Sequence, residues 1–189
     1  MDALTRADAV DVAYTLLLQR GEPSWLFTVD NGATTMWERW NSYTKEKGFG
    51  DAGMNSFNHY AYGSVLAWMY STMAGIRYDP AKPGYQHFIL GPRPDPRVQE
   101  VCAAYRTPYG LVKSSWTYGP KGTWDYTATV PANTTALLLL PCDDAARLSV
   151  DGKKATEVTP QNDSLTVLGV ENGFARFDAI SGTFTAHLG

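Results

Sequence analysis

The spacing of apolar positions changes once along this chain, from a helical period in the first part to strict alternation in the rest. Val10, Ala13, Leu16 and Leu17 recur at helical spacing, which predicts a helix over 5–20. Thr5 with Asp8 three residues on is a capping-box pattern for its start, and Gly21 suits its end. Pro23 and Ser24 open a shorter helical turn through Trp25 and Phe27, closed by Asn31-Gly32. Residues 33–43 begin polar and β-branched, which predicts extended backbone that presents alternate side chains to opposite sides. Residues 44–53 hold three glycines and four charges and read as a loop.

The longest helical pattern covers 55–74, with Asn55 or Ser56 as cap and Gly75 as stop. Phe57, Ala61, Val65, Trp68, Met69 and Thr72 mark one face, while His59, Tyr62, Leu66, Tyr70 and Met73 mark a second, mostly apolar one. A helix apolar nearly all round requires neighbours on every side. The few helices of this chain do not supply them, so the pattern implies missing partners, self-association, or a second chain that covers these faces.

Two prolines and a glycine in IRYDPAKPGYQ, 76–86, mark a boundary, and we divide the chain into 1–80 and 81–189. Beyond it Trp124, Tyr126, Ala128 and Val130 alternate with Asp125, Thr127 and Thr129. Asp151-Gly152, Asn172-Gly173 and Ser181-Gly182 are hairpin signals. Strands are predicted near 86–90, 99–106, 110–118, 123–130, 134–140, 146–150, 165–170, 173–179 and 183–187. Together they describe an antiparallel β-sandwich, so the fold class is α+β, a few helices and then a sandwich.

Composition narrows the chemistry rather than the fold. A formal net charge of −3 leaves no basic footprint for nucleic acid, and no apolar run approaches a membrane span. The first ten residues lack the layout of a signal peptide. Cys102 and Cys142 carry no metal or redox motif, and pairing between them stays open. His59, His87 and His187 lack ligand spacing, so neither a metal nor a cofactor is expected.

The aromatic content of 13% suits a carbohydrate binder as well as a filled sandwich. The chemistry-bearing stretch is 32–63, where Glu38 sits in the cluster Trp37, Glu38, Arg39, Trp40 and is followed by Asn55, Asn58 and His59. Carboxylates walled by indoles are common in sugar sites, because the rings cover the apolar side of a pyranose while the carboxylate moves protons. Each residue also has a plainer reading. Glu38 would pair with Arg39 or a lysine, His59 would be a satisfied core histidine, the tryptophans would be core, and Asn55 and Asn58 would cap the helix.

TTMWERW followed by MNSFNHYAYGSV resembles the C-terminal signature of the bacterial α-L-rhamnosidases, inverting glycoside hydrolases with an α/α toroid of six helical hairpins. The resemblance runs from about Ala13 through the β-rich tail. It implies that 1–80 holds the last helices of the toroid and 81–189 the closing sandwich. It implies further that Glu38 is the general base and that His59 binds sugar hydroxyls, with Trp37 and Trp40 as candidate walls. The ligand would be a rhamnose-containing glycoside. The family's general acid lies in an upstream acidic motif with no counterpart in this sequence, so the chain by itself is expected to be a weak catalyst or none. Where the parent works stays open, with a bacterial cytoplasm and a periplasm both compatible with the resemblance. The rival reading is a non-catalytic sandwich that binds carbohydrate or completes a toroid supplied by another chain.

Overall fold

The computed structural model describes residues 1–157 and 164–189, in two compact units, Met1–Trp68 and Met69–Gly189. The first unit carries helices α1 (Asp2–Arg6), α2 (Val10–Leu18), α3 (Trp25–Asp30) and α4 (Val65–Trp68), with a two-stranded hairpin of β1 (Tyr43–Thr44) and β2 (Gly48–Phe49).

The helix expected over 5–20 is broken. Asp8 has a φ of 56°, a left-handed turn that aspartate tolerates, and it separates α1 from α2. Thr5 does not cap α2; its Oγ1 accepts a 2.8 Å hydrogen bond from Trp68 Nε1. The buried stripe of α2 is Val10, Ala13, Tyr14 and Leu17, whereas Leu16 is exposed. Tyr14 meets Trp68 edge to face at 5.3 Å. Ser24 caps α3 by accepting from Phe27 N–H, as its position predicts. The loop expected over 44–53 folds into the β1–β2 hairpin.

The helix expected over 55–74 is the largest departure. Residues 55–60 are irregular, a 3₁₀ turn spans Ala61–Ser64, α4 is one turn, and a π-turn covers Met69–Met73. The cause is local. Backbone groups of Ser56 and His59 bond sideways to residues 36 and 38, leaving no i to i−4 pairs from which a helix could start. Of the expected second apolar face, Met73 is buried, His59, Tyr62 and Tyr70 are half-buried, and Leu66 is left exposed. Segment 33–43 is a run of bends and turns, not extended chain, because Ser42 N–H and Oγ both fold back onto Arg39 O.

The second unit is the sandwich. Its strands are β3 (Ile76–Tyr78), β4 (His87–Leu90), β5 (Glu100–Thr107), β6 (Gly110–Tyr118), β7 (Trp124–Val130), β8 (Thr135–Pro141), β9 (Leu148–Val150), β10 (Lys153–Lys154), β11 (Leu165–Glu171), β12 (Phe174–Ala179) and β13 (Gly182–Leu188). They form a six-stranded sheet, β10-β9-β13-β7-β6-β5, and a five-stranded sheet, β11-β12-β8-β4-β3. All neighbours are antiparallel except β4 and β8. The core lies between the sheets, with Phe88, Leu138, Leu140 and Phe177 from one and Val112, Trp116, Trp124, Tyr126 and Phe184 from the other. Residues 124–130 alternate buried and outward as their pattern predicts.

Asp151-Gly152 and Asn172-Gly173 take left-handed hairpin turns. Ser181-Gly182 does not make a hairpin; it carries the chain from one sheet to the other, since β12 and β13 pair with different partners. Trp116 Nε1 donates to Met73 O at 2.7 Å, so the carbonyl ending the π-turn is satisfied from within the sandwich. Cys102 and Cys142 are both free thiols, and burial pushes the Cys142 thiol above its ordinary value.

Candidate functional site

The site is assembled where segments 35–38 and 56–59 are stitched together. Glu38 N–H donates to Ser56 O and His59 N–H to Met36 O, each at 2.8 Å, and Thr35 Oγ1 donates to Phe57 O. These lateral bonds set Glu38 and His59 on adjoining strips of chain that lie about twenty residues apart in sequence.

Glu38 is half-buried, and its Oε2 accepts a 2.8 Å hydrogen bond from Ser56 N–H. Its Oε1 has no hydrogen-bond partner among the described residues, and the carboxylate has no ion pair. Arg39, the neighbouring cation, turns away and donates from Nη2 to Gly53 O at 2.9 Å. The carboxylate is thus oriented through one oxygen and open at the other. A carboxylate held in this way has a free oxygen that is able to accept a proton.

His59 Nδ1 accepts a 3.3 Å hydrogen bond from Ala61 N–H. With Nδ1 accepting, the neutral ring carries its proton on Nε2 and has a donor there. The ring stacks on the exposed Tyr60, with centroids 5.8 Å apart.

Trp37 is buried against Phe57 at 5.5 Å and Tyr43 at 6.3 Å, both edge to face. Trp40 is half-buried in a separate cluster, stacked on Tyr62 at 3.9 Å and edge to face with Trp25 at 5.3 Å. Trp25 Nε1 donates to Tyr62 O at 3.0 Å, which fixes this second cluster to α3.

Asn55 is no helix cap, because no helix starts there. Its Nδ2 donates to Ser42 O at 3.4 Å, and its Oδ1 is buried without a hydrogen-bond partner among the described residues. Sequence reasoning assigned this side chain to capping; the signal against that reading was its place in the motif of Glu38 and His59. Among the described residues no group of His, Cys, Asp and Glu could hold a metal ion, and no helix is long and apolar enough to cross a membrane.

Comparison with known proteins gives these residues a family. Residues 1–73 match the family model for the bacterial α-L-rhamnosidase six-hairpin glycosidase domain, and residues 75–155 match that for the bacterial α-L-rhamnosidase C-terminal domain. An α-L-rhamnosidase of Streptomyces avermitilis is 40% identical over 183 residues, 97% of this chain, and one of Formosa agariphila is 41% identical over 155 residues, 82% of the chain. The chain belongs to the bacterial α-L-rhamnosidase family. It spans about 16% of the length of these curated relatives. The crystal structure of the Streptomyces avermitilis α-L-rhamnosidase complexed with L-rhamnose superposes with a TM-score of 0.83 at 39% identity, over 98% of this chain and 17% of that one. The fold is therefore the end of the rhamnosidase toroid followed by its C-terminal β-domain, and the family is one of glycoside hydrolases.

Proposed function

We propose that this chain contributes the base-bearing half of an inverting α-L-rhamnosidase site, acting on terminal α-L-rhamnose of glycosides or polysaccharides. Oε1 of Glu38 takes a proton from a water molecule as the water oxygen bonds to the anomeric carbon. The bond to the leaving oxygen breaks on the opposite face, where a carboxylic acid outside this chain delivers a proton to that oxygen. An inverting pair needs carboxyl groups about 6.5–9.5 Å apart to admit the water. His59 donates from Nε2 to a sugar hydroxyl, and Trp40 offers the half-exposed ring of the pair. Trp37 is a wall only through the shape it gives the Glu38 segment, holding it against Phe57.

One observation carries this reading: a half-buried carboxylate oriented by a backbone N–H, with its other oxygen open and no ion pair among the described residues. A surface glutamate in a structural ion pair would look different. The test uses this sequence joined behind the upstream hairpins of the Streptomyces avermitilis relative, with an aryl α-L-rhamnoside as substrate. Glu38→Gln keeps the shape and the Ser56 contact but removes the base, and should lower kcat by about 10²–10⁴-fold with KM little changed. A variant with unaltered kcat removes Glu38 from the role.

A further inference from the structure

The turn from β3 to β4, the turn from β7 to β8 and the crossing from β12 to β13 meet at one end of the five-stranded sheet. The ladder requires it, because Tyr78 pairs with Phe88, His87 with Thr135, and Ala136 with Ala179. Between these connections lies a cleft of about 660 Å³. That volume falls within the range of about 300–1,000 Å³ usual for small-molecule sites. Part of its lining is fixed by bonds already made. Thr135 N–H donates to Gln86 O at 3.0 Å, His87 Nδ1 shares a 2.7 Å hydrogen bond with Thr135 Oγ1, and Thr134 Oγ1 donates to Pro131 O at 2.7 Å.

The remaining polar lining is exposed and unengaged. The side chains of Lys82, Gln86, Asn133 and Ser181 have no hydrogen bond or ion pair among the described residues, and all four are open to a ligand. Asn133 has a φ of 61°, a left-handed turn that asparagine tolerates, so its amide is carried on constrained backbone. Ile180, 56% exposed, adds an apolar surface. Two carboxamides and a hydroxyl each both donate and accept, which matches hydroxyl groups carried on adjacent carbons. An apolar side chain beside them suits the C–H face of a sugar ring, since contact releases water from both. Lys82 adds one cation. Asp79, the acid of the same turn, is engaged elsewhere, with Oδ1 accepting from Ala81 N–H and Oδ2 3.8 Å from His87 Nε2.

We propose that this cleft is a carbohydrate-binding site of the sandwich that takes one pyranose unit. Gln86, Asn133 and Ser181 read ring hydroxyls, Ile180 meets the C–H face, and Lys82 is placed for a uronate carboxylate. The site shares no residue with the Glu38 segment and goes beyond the hydrolysis assigned to it.

The test follows the side-chain amide signals of Gln86 and Asn133 and the methyl signals of Ile180 by NMR of the isotope-labelled chain. Methyl glycosides of L-rhamnose, D-galactose and D-glucuronate are titrated separately at constant ionic strength, with open-chain sorbitol as control. Saturable shifts with a millimolar Kd are expected at these three residues for at least one pyranoside, and none at the exposed Gln99. Gln86→Ala keeps the backbone carbonyl for Thr135, and Asn133→Gly keeps the left-handed turn. Each should weaken binding about three- to tenfold. Saturation by the glucuronide alone assigns an acidic sugar read by Lys82, and saturation by the neutral pyranosides assigns recognition of ring hydroxyls. Equal shifts with sorbitol, shifts confined to His59, or no saturation up to about 100 mM overturns the proposal. The wild-type titration decides this even where a variant unfolds.

Discussion

At the residue scale, the neighbours of a side chain decide what it is free to do, and sequence shows them only in part. Arg39 follows Glu38 directly and invites an ion pair, yet its guanidinium reaches Gly53 O instead. Motif context pointed to Glu38; that its carboxylate is held by Ser56 N–H and open on Oε1 was visible only in the fold. Gly75 was legible as a stop signal but not for its stronger constraint. Its φ is +75°, and a Cβ there would come within 2.2 Å of the Gly91 and Pro92 backbone. Gly75→Ala therefore combines left-handed strain with a backbone clash and should destabilise the sandwich by about 3 kcal/mol or more, read from urea unfolding. A loss of only a few tenths would mean that this crossing of β3 and the Gly91 segment gives way easily.

At the scale of elements, alternation was the reliable signal. The strands of the sandwich were legible because one face of each meets a core, and burial imposes a period of two. The helical part was less legible because tertiary hydrogen bonds override helical spacing. The lateral bonds of residues 56 and 59 to 38 and 36 replace the turn expected there, and Thr5 serves Trp68 rather than α2. The irregular stretch between β4 and β5 shows another device that pattern does not reveal. Asp95 is buried and accepts from Arg97 N–H at 2.9 Å, Nε at 2.7 Å and Nη2 at 2.6 Å. The hydrogen bonds from the Arg97 side chain hold the Asp95 carboxyl below its ordinary value, against the opposing effect of burial. A depressed carboxylate stabilises the fold above its unfolded pKa of about 3.9, and the contribution disappears as pH falls through the lower folded value. Asp95→Asn should cost about 1–2 kcal/mol at pH 7, with the difference from wild type shrinking progressively below about pH 4 in urea unfolding. A difference independent of pH would show that shape, not charge, is what Asp95 contributes.

At the scale of the whole molecule, the chain spans about a sixth of its relatives' length, and the first unit shows it. Phe49, Met54, Tyr60 and Leu66 are exposed there, at 76%, 79%, 89% and 56%, and Phe49, Met54 and Tyr60 belong to the stretch that carries Glu38 and His59. Apolar side chains so open beside a candidate site suit a surface that further toroid hairpins would cover. Motif and alternation together made the family and the order of domains legible, because long motifs carry both. The general acid was not legible, since the upstream acidic motif to which the resemblance assigns it has no counterpart in this sequence. The most direct measurement is azide rescue of the joined protein with Glu38→Ala, acting on an aryl α-L-rhamnoside. Azide attacks carbon without a base, so removal of a true general base leaves a gap that azide fills. Restored turnover is expected, with a β-L-rhamnosyl azide product identified by its anomeric proton in NMR. Turnover that azide does not restore, or an α-configured azide, would contradict Glu38 as the base of an inverting reaction.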